Sequence, residues 1–241
     1  MFYTPSFSWS LLLVLHIVVA LGKAQAQGSS SSSSSSSSKY PVFPLQLSAD
    51  IEITAHLIAP DSEYPPHIRR MSIYYDYMNK LARADIEEGY EAAKTYIRRY
   101  DTNHEYMVRH PPIGDCKRSY LGEVMPFPDI PQSKYVGDRM QGGVLCDHYV
   151  HTEHDAISHM YIDQISGKPV QLTQSTVEVD ANNQRVETEV LTYKYLNVVL
   201  GAPDVAVFEL QSPRLPFTHD TCERYVGGFP YLHVFHYFVR F

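Results

Sequence analysis

The densest run of reactive side chains in the sequence is a histidine and carboxylate cluster: His148, His151, His154 and His159 among Asp147, Glu153 and Asp155. Imidazole and carboxylate ligate first-row metals, and a helix would gather His148, His151 and His154 onto one face as a metal-binding triad. The flanking residues read as strand and loop, however, and in a strand a spacing of three sends neighbours to opposite faces. His151-Thr152-Glu153-His154 also lacks the His-Glu-x-x-His order of a zincin helix. These three histidines are therefore weak metal candidates, better read as a solvated turn whose charge responds to acid, and no cofactor is expected.

Other chemistries find less support. The sequence holds no Gly-x-Ser-x-Gly elbow, no Walker loop and no Gly-x-Gly-x-x-Gly, so it offers no catalytic motif for hydrolysis and no nucleotide fingerprint. Carboxylate pairs such as Glu87-Glu88 are what any acidic chain supplies. Arg69-Arg70 and Arg98-Arg99 read as charges on exposed strand edges. A formal charge of −7 over 241 residues excludes a general nucleic-acid binder, which needs a basic face. Cys116, Cys146 and Cys222 do not form a Cys-x-x-Cys site, and three is odd, so one bridge and one leftover thiol is the simplest accounting.

The ends of the chain set the compartment. Leu11 to Leu21 is an apolar run short for a bilayer span, followed by Ala24-Gln25-Ala26, a small-x-small cleavage pattern. Residues 1–26 are read as a secretory signal peptide, which places the protein outside the cell or in the endolysosomal lumen and leaves no transmembrane anchor after cleavage. Cleavage also removes Trp9, the single tryptophan. Residues 27–39, with an unbroken serine tract from Ser29 to Ser38, read as a flexible linker. Folded matter is expected over 40–241.

The elements that would position any site are strands. Met71, Ile73, Tyr75 and Tyr77 alternate on one face, and Asn79-Lys80 offers a turn into Leu81 to Ile86. Further strands are predicted over 47–58, 93–100, 104–108, 144–150, 157–162, 170–180 and 186–199, with turns at Ser166-Gly167-Lys168-Pro169 and Asn182-Asn183. Helical propensity is confined to Asp85 to Lys94 and is interrupted by Gly89. The proline cluster Pro126 to Pro131 reads as a surface crossing. The fold class is mainly all-β: one curved antiparallel sheet with little helix.

Tyr75-Asp76 followed by Arg83-Ala84-Asp85 resembles the strand pair of the LolA-like half-barrel also found in ependymin-related proteins. The order of features resembles the non-catalytic amino-terminal region of secreted, 26/29 kDa-type papain-family cysteine proteases. Those features are Cys116, Tyr135-Val136-Gly137 before Cys146, Leu191-Thr192-Tyr193-Lys194-Tyr195, Val207-Phe208-Glu209-Leu210, Cys222 and Gly228-Phe229-Pro230. No papain-type catalytic motif is present, so proteolysis does not transfer. The resemblance implies a Cys116–Cys222 bridge, with Cys116–Cys146 as the alternative. It also implies a lipid or other hydrophobic ligand on the concave face. A sheet of one layer must cover its apolar face with something. Candidate wall residues are Ile73, Tyr75, Tyr77, Val190, Tyr193 and Tyr195, whose tyrosines offer apolar rings with polar tips. The alternative functions are an accessory module docking on a papain-type protease through the aromatic tail 229–241, and a metal protein built on the histidine cluster.

Overall fold

Alternating apolar residues in β-branched and aromatic-rich runs fold here into a sheet rather than helices, and the computed structural model shows how. It describes residues 40–57, 68–89, 93–128, 133–179, 181–212 and 215–229. The expected signal peptide, serine linker and most of the aromatic tail lie outside the described residues.

The first meander runs β1 (Gln46–Ala55), β2 (Ile68–Asp76), β3 (Leu81–Gly89), β4 (Lys94–Arg99), β5 (His104–Arg109) and β6 (Asp115–Tyr120). The second runs β7 (Lys134–Gln141), β8 (Val144–Glu153), β9 (Ala156–Asp163), β10 (Pro169–Val179) and β11 (Arg185–Leu200). β11 pairs antiparallel with β1, which fuses the meanders into one sheet. After β11 come a short 3-10 turn (Val205–Phe208), a hairpin of β12 (Gln211–Ser212) and β13 (Leu215–Pro216), and β14 (Glu223–Arg224). β14 returns to the far edge and pairs parallel with β6, giving the order β14-β6-β5-β4-β3-β2-β1-β11-β10-β9-β8-β7. The sheet is curved, open and antiparallel-dominated, and the 3-10 turn is the one helical element among the described residues. Register shifts in β1, between β2 and β3, between β7 and β8, and between β10 and β11 mark bulges, which bend strands and increase twist.

Alternation decides the faces. Leu47, Ala49 and Ile51 on β1 face the same side as Tyr75, Ile73 and Met71, their partners on β2, and all six are buried. That side carries the larger cluster, and we take it as the concave one; the cluster continues from Tyr96 and Met107 to Tyr149, Met160, Leu172, Tyr193 and Tyr195. The loop after β6 crosses it, contributing Leu121 and Met125, with Phe43 and Phe229 from either end of the described chain. A second, smaller cluster lies on the convex side of β4–β6: Ile97, Tyr106, Val108 and Cys116 are covered there by Leu210, Leu215 and Cys222. The Cys116–Cys222 disulfide closes this cover, and Cys146 remains a buried free thiol.

Candidate functional site

The concave wall brings together five of the six residues proposed from sequence. Ile73, Tyr75, Tyr193 and Tyr195 belong to its buried cluster, and Tyr77 packs at its margin. Each tyrosine ring sits in apolar surroundings while its hydroxyl has to find a partner. The Tyr75 hydroxyl donates to the Pro126 carbonyl at 2.9 Å, and the Tyr193 hydroxyl to Gln174 Oε1 at 3.4 Å. The Tyr77 ring meets Phe127 edge-on at 5.1 Å. Burial pushes the Tyr75 and Tyr195 phenols well above their ordinary range, so both stay neutral.

Val190 does not join them. Gln174 pairs with Leu191 and Ser175 with Glu189, so Val190 is the extra residue of a β-bulge. Leu191 packs against the concave cluster in its place. The wall therefore corrects to Leu191, Tyr193 and Tyr195 on β11, because a bulge consumes one residue without advancing the pleat.

The concave face also holds charge that the sequence reading placed elsewhere. Arg98 is 0% exposed and Glu105 1%, partners in register on β4 and β5. This corrects the edge-strand reading of Arg98-Arg99: β4 is an interior strand, and only Arg99 faces outward, pairing with Asp101 and Glu209 at 2.8 and 3.1 Å. The Arg98 guanidinium donates to the Tyr100 hydroxyl at 2.8 Å and to Glu123 at 2.9 Å, and stands 3.9 Å from Glu105. Burial pushes the Glu105 carboxyl up to about 7, against the pull of Arg98 and of a hydrogen bond from the Phe229 backbone. Parity with Tyr96 and Tyr100 was the available signal for Arg98.

On the opposite, convex face of the other meander the histidines separate as strand geometry requires. His148 faces outward. His151 pairs with Ser158 two residues beyond the Tyr149–Met160 pair, on the concave side, and His154 occupies the following turn with φ +57°. Among the described residues no three His, Cys, Asp or Glu side chains are grouped to hold a metal. What forms instead is a hydrogen-bonded row. His148 Nε2 lies 3.0 Å from His159 Nδ1, and His159 Nε2 lies 2.6 Å from Glu187 Oε1. A carboxylate only accepts, so His159 carries its proton on Nε2, its Nδ1 accepts, and His148 Nε2 donates. The His148 ring stacks on Tyr161 at 4.6 Å. Burial, then the neighbouring His159 and Arg139, lower the His148 pKa to about 4. Against burial, hydrogen bonds from Ser175 and His159 hold the Glu187 carboxyl below its ordinary range. Burial also raises the Cys146 thiol, on the same face, keeping it protonated.

Two findings bear on compartment. The Cys116–Cys222 bridge is the pairing that the resemblance implied and is compatible with an oxidising environment. No helix among the described residues is long and apolar enough to cross a membrane. Compared with known proteins, the chain matches no protein-family model and no curated protein.

Proposed function

We propose that this chain is a secreted, non-enzymatic domain of LolA-like, ependymin-related type that holds a lipid-like ligand against the concave face of its sheet. One observation carries the reading: a single apolar cluster runs across that face from β5 to β8, and the described chain covers it with irregular segments around Phe43, Leu121, Met125 and Phe229, not with a helix or second sheet. Irregular covers have few backbone hydrogen bonds of their own and open at lower cost than the sheet beneath them. Behind them lie Tyr75, Tyr193 and Tyr195, apolar rings with hydroxyls that would suit an amphiphile. The Arg98–Glu105 pair, buried on the same face, would sit near the polar end of such a ligand.

The test is native mass spectrometry of the secreted chain, followed by titration of the delipidated protein with a fluorescent fatty acid. The reading expects a co-purifying lipid mass, saturable uptake displaced by unlabelled fatty acid, and a melting temperature that rises with ligand. Neither a bound mass nor saturable uptake would leave the concave cluster as an ordinary core.

A further inference from the structure

At the β14 edge of the sheet, beside the cover on β4–β6, lies a cationic cleft whose arginines the concave-face reading does not use. Ile97, Tyr106, Arg118 and Arg224 occupy successive register positions on β4, β5, β6 and β14. Residues in register on adjacent strands project to the same face, so Arg118 and Arg224 stand side by side, an arrangement that like charges disfavour. Nearby Arg99 and Arg109 are neutralised by Asp101, Glu209 and Asp115, whereas Arg118 and Arg224 make no ion pair with any described carboxylate. In a chain of net charge −7, two adjacent unneutralised arginines are not a consequence of composition.

The surroundings fix these groups. Arg118 donates to His219 Nε2, and the Tyr106 hydroxyl lies 2.8 Å from His219 Nδ1. A guanidinium has no acceptor and does not lose its proton, so Nε2 must be the bare nitrogen. The His219 proton then sits on Nδ1 and is accepted by the Tyr106 oxygen, which leaves the Tyr106 hydroxyl hydrogen free to donate elsewhere. His104 packs edge-on against His219 at 4.8 Å. Arg118 Nε is buried and has no hydrogen-bond partner among the described residues, a donor held out of bulk water.

Around these donors lies a cleft of about 540 Å³ walled by His104, Arg118, Tyr120, Arg224 and Tyr225, with no acidic residue among the described residues that line it. Gly227, in its floor, has φ +121°, a conformation that side chains rarely adopt, and Ser119 Oγ donates to its carbonyl. A second cleft of about 470 Å³ shares His104 with the first and is lined by Tyr106, Phe217 and His219; Glu209, the one carboxylate among the described residues that line it, is engaged by Arg99. Planar guanidinium forks match tetrahedral oxyanions with two parallel hydrogen bonds, which an ammonium cannot do.

We propose that this cleft binds a phosphate or sulfate monoester on a sugar-sized body, with Arg118 and Arg224 taking the oxyanion and Tyr120 and Tyr225 flanking the body. The test is calorimetric titration of the full folded chain, at constant ionic strength, with inorganic phosphate, inorganic sulfate, glucose 6-phosphate and glucose 6-sulfate. Saturable one-site binding is expected, tighter for the esters than for the inorganic ions. The tighter of the two esters assigns the source as phosphorylated or sulfated. Arg224→Gln, at an exposed edge position, should weaken binding by about tenfold or more. Arg118→Lys, which keeps the charge but loses the fork, should also weaken it, while Arg185→Gln on the distant β11 should not. Absence of saturable binding by all four probes, unchanged binding in Arg224→Gln, or an equal loss in Arg185→Gln would overturn the assignment.

Discussion

The two meanders share one sheet and one concave core, yet their strands are buried differently. In β4 and β5 all four interior residues are buried, because the concave cluster covers one face and Leu210, Leu215 and Cys222 from the returning chain cover the other. In β7 no residue is buried, and the convex side of β8–β10 carries His148, His159, Thr173 and Gln171. Coverage, more than intrinsic strand propensity, thus separates the wing β4–β6, packed beneath a returning segment, from β7–β10, where convex-side burial among the described residues is confined to Cys146, Tyr161, Thr173 and Ser175. Removing the clamp on the covered wing is the hardest way to break that contrast. Cys222→Ser opens a bridge between residues 106 apart, which should cost about 4–5 kcal/mol by loop entropy. Denaturant unfolding reads the total. Hydrogen exchange should place the loss in β5 and β6 and leave β8–β10 protected; a loss spread evenly over both wings would show that they unfold as one unit.

Packing gives the next largest effect. Leu215 is 0% exposed beneath the convex cover, and Leu215→Ala should cost about 2–5 kcal/mol. The same truncation at Leu145, 46% exposed on β8, should stay within about 0.5 kcal/mol. Equal costs, measured by the same denaturant titration, would mean that coverage does not distinguish the wings.

Much of this contrast was legible before any coordinates, and the illegible part has physical causes. Strict alternation marked β2 through Met71, Ile73 and Tyr75, and apolar runs marked β1, β10 and β11, because one face of each meets the concave core. β6, Asp-Cys-Lys-Arg-Ser-Tyr, and β7, Lys-Tyr-Val-Gly-Asp-Arg-Met-Gln, carry no such pattern. Pairing with a neighbour makes them strands, together with the disulfide in β6. Opposite faces for His148 and His151 followed from strand periodicity alone. Pairing His148 with His159 required the β8–β9 register, and reaching Glu187 required passage across β10 and its bulge. Val190 and Arg98 failed for related reasons. A bulge is silent in composition, and a buried arginine becomes interpretable only when the hairpin sets Glu105 opposite it.

The wings should also answer pH with opposite sign. Folded Glu105 keeps its proton up to about 7, whereas an ordinary glutamate releases it near 4.5. Between those values the folded state binds more protons than the unfolded one, so stability contributed by this group falls as pH rises from about 4.5 to 7, by on the order of 3 kcal/mol. Glu105→Gln should flatten that fall in the unfolding free energy measured across the interval.

His148 runs the other way, with a smaller effect because its ring is only part-buried and solvent screens the charges around it. The folded ring resists protonation down to about 4, against 6.5 ordinarily, so between these values the unfolded chain binds the extra proton and stability falls as pH drops. The cause is geometric as well as dielectric: a proton added to His148 would lie against Arg139 and His159, with Glu187 beyond His159 returning only part of the cost. Protection factors corrected for intrinsic exchange should therefore decline in β8 and β9 from pH 6.5 to 4, and His148→Gln, which lacks the titrating group, should remove the decline. If β8 and β9 instead gain protection in acid, the His148–His159–Glu187 row is charged in the folded state, and the neutral chain of donors described for that face is wrong.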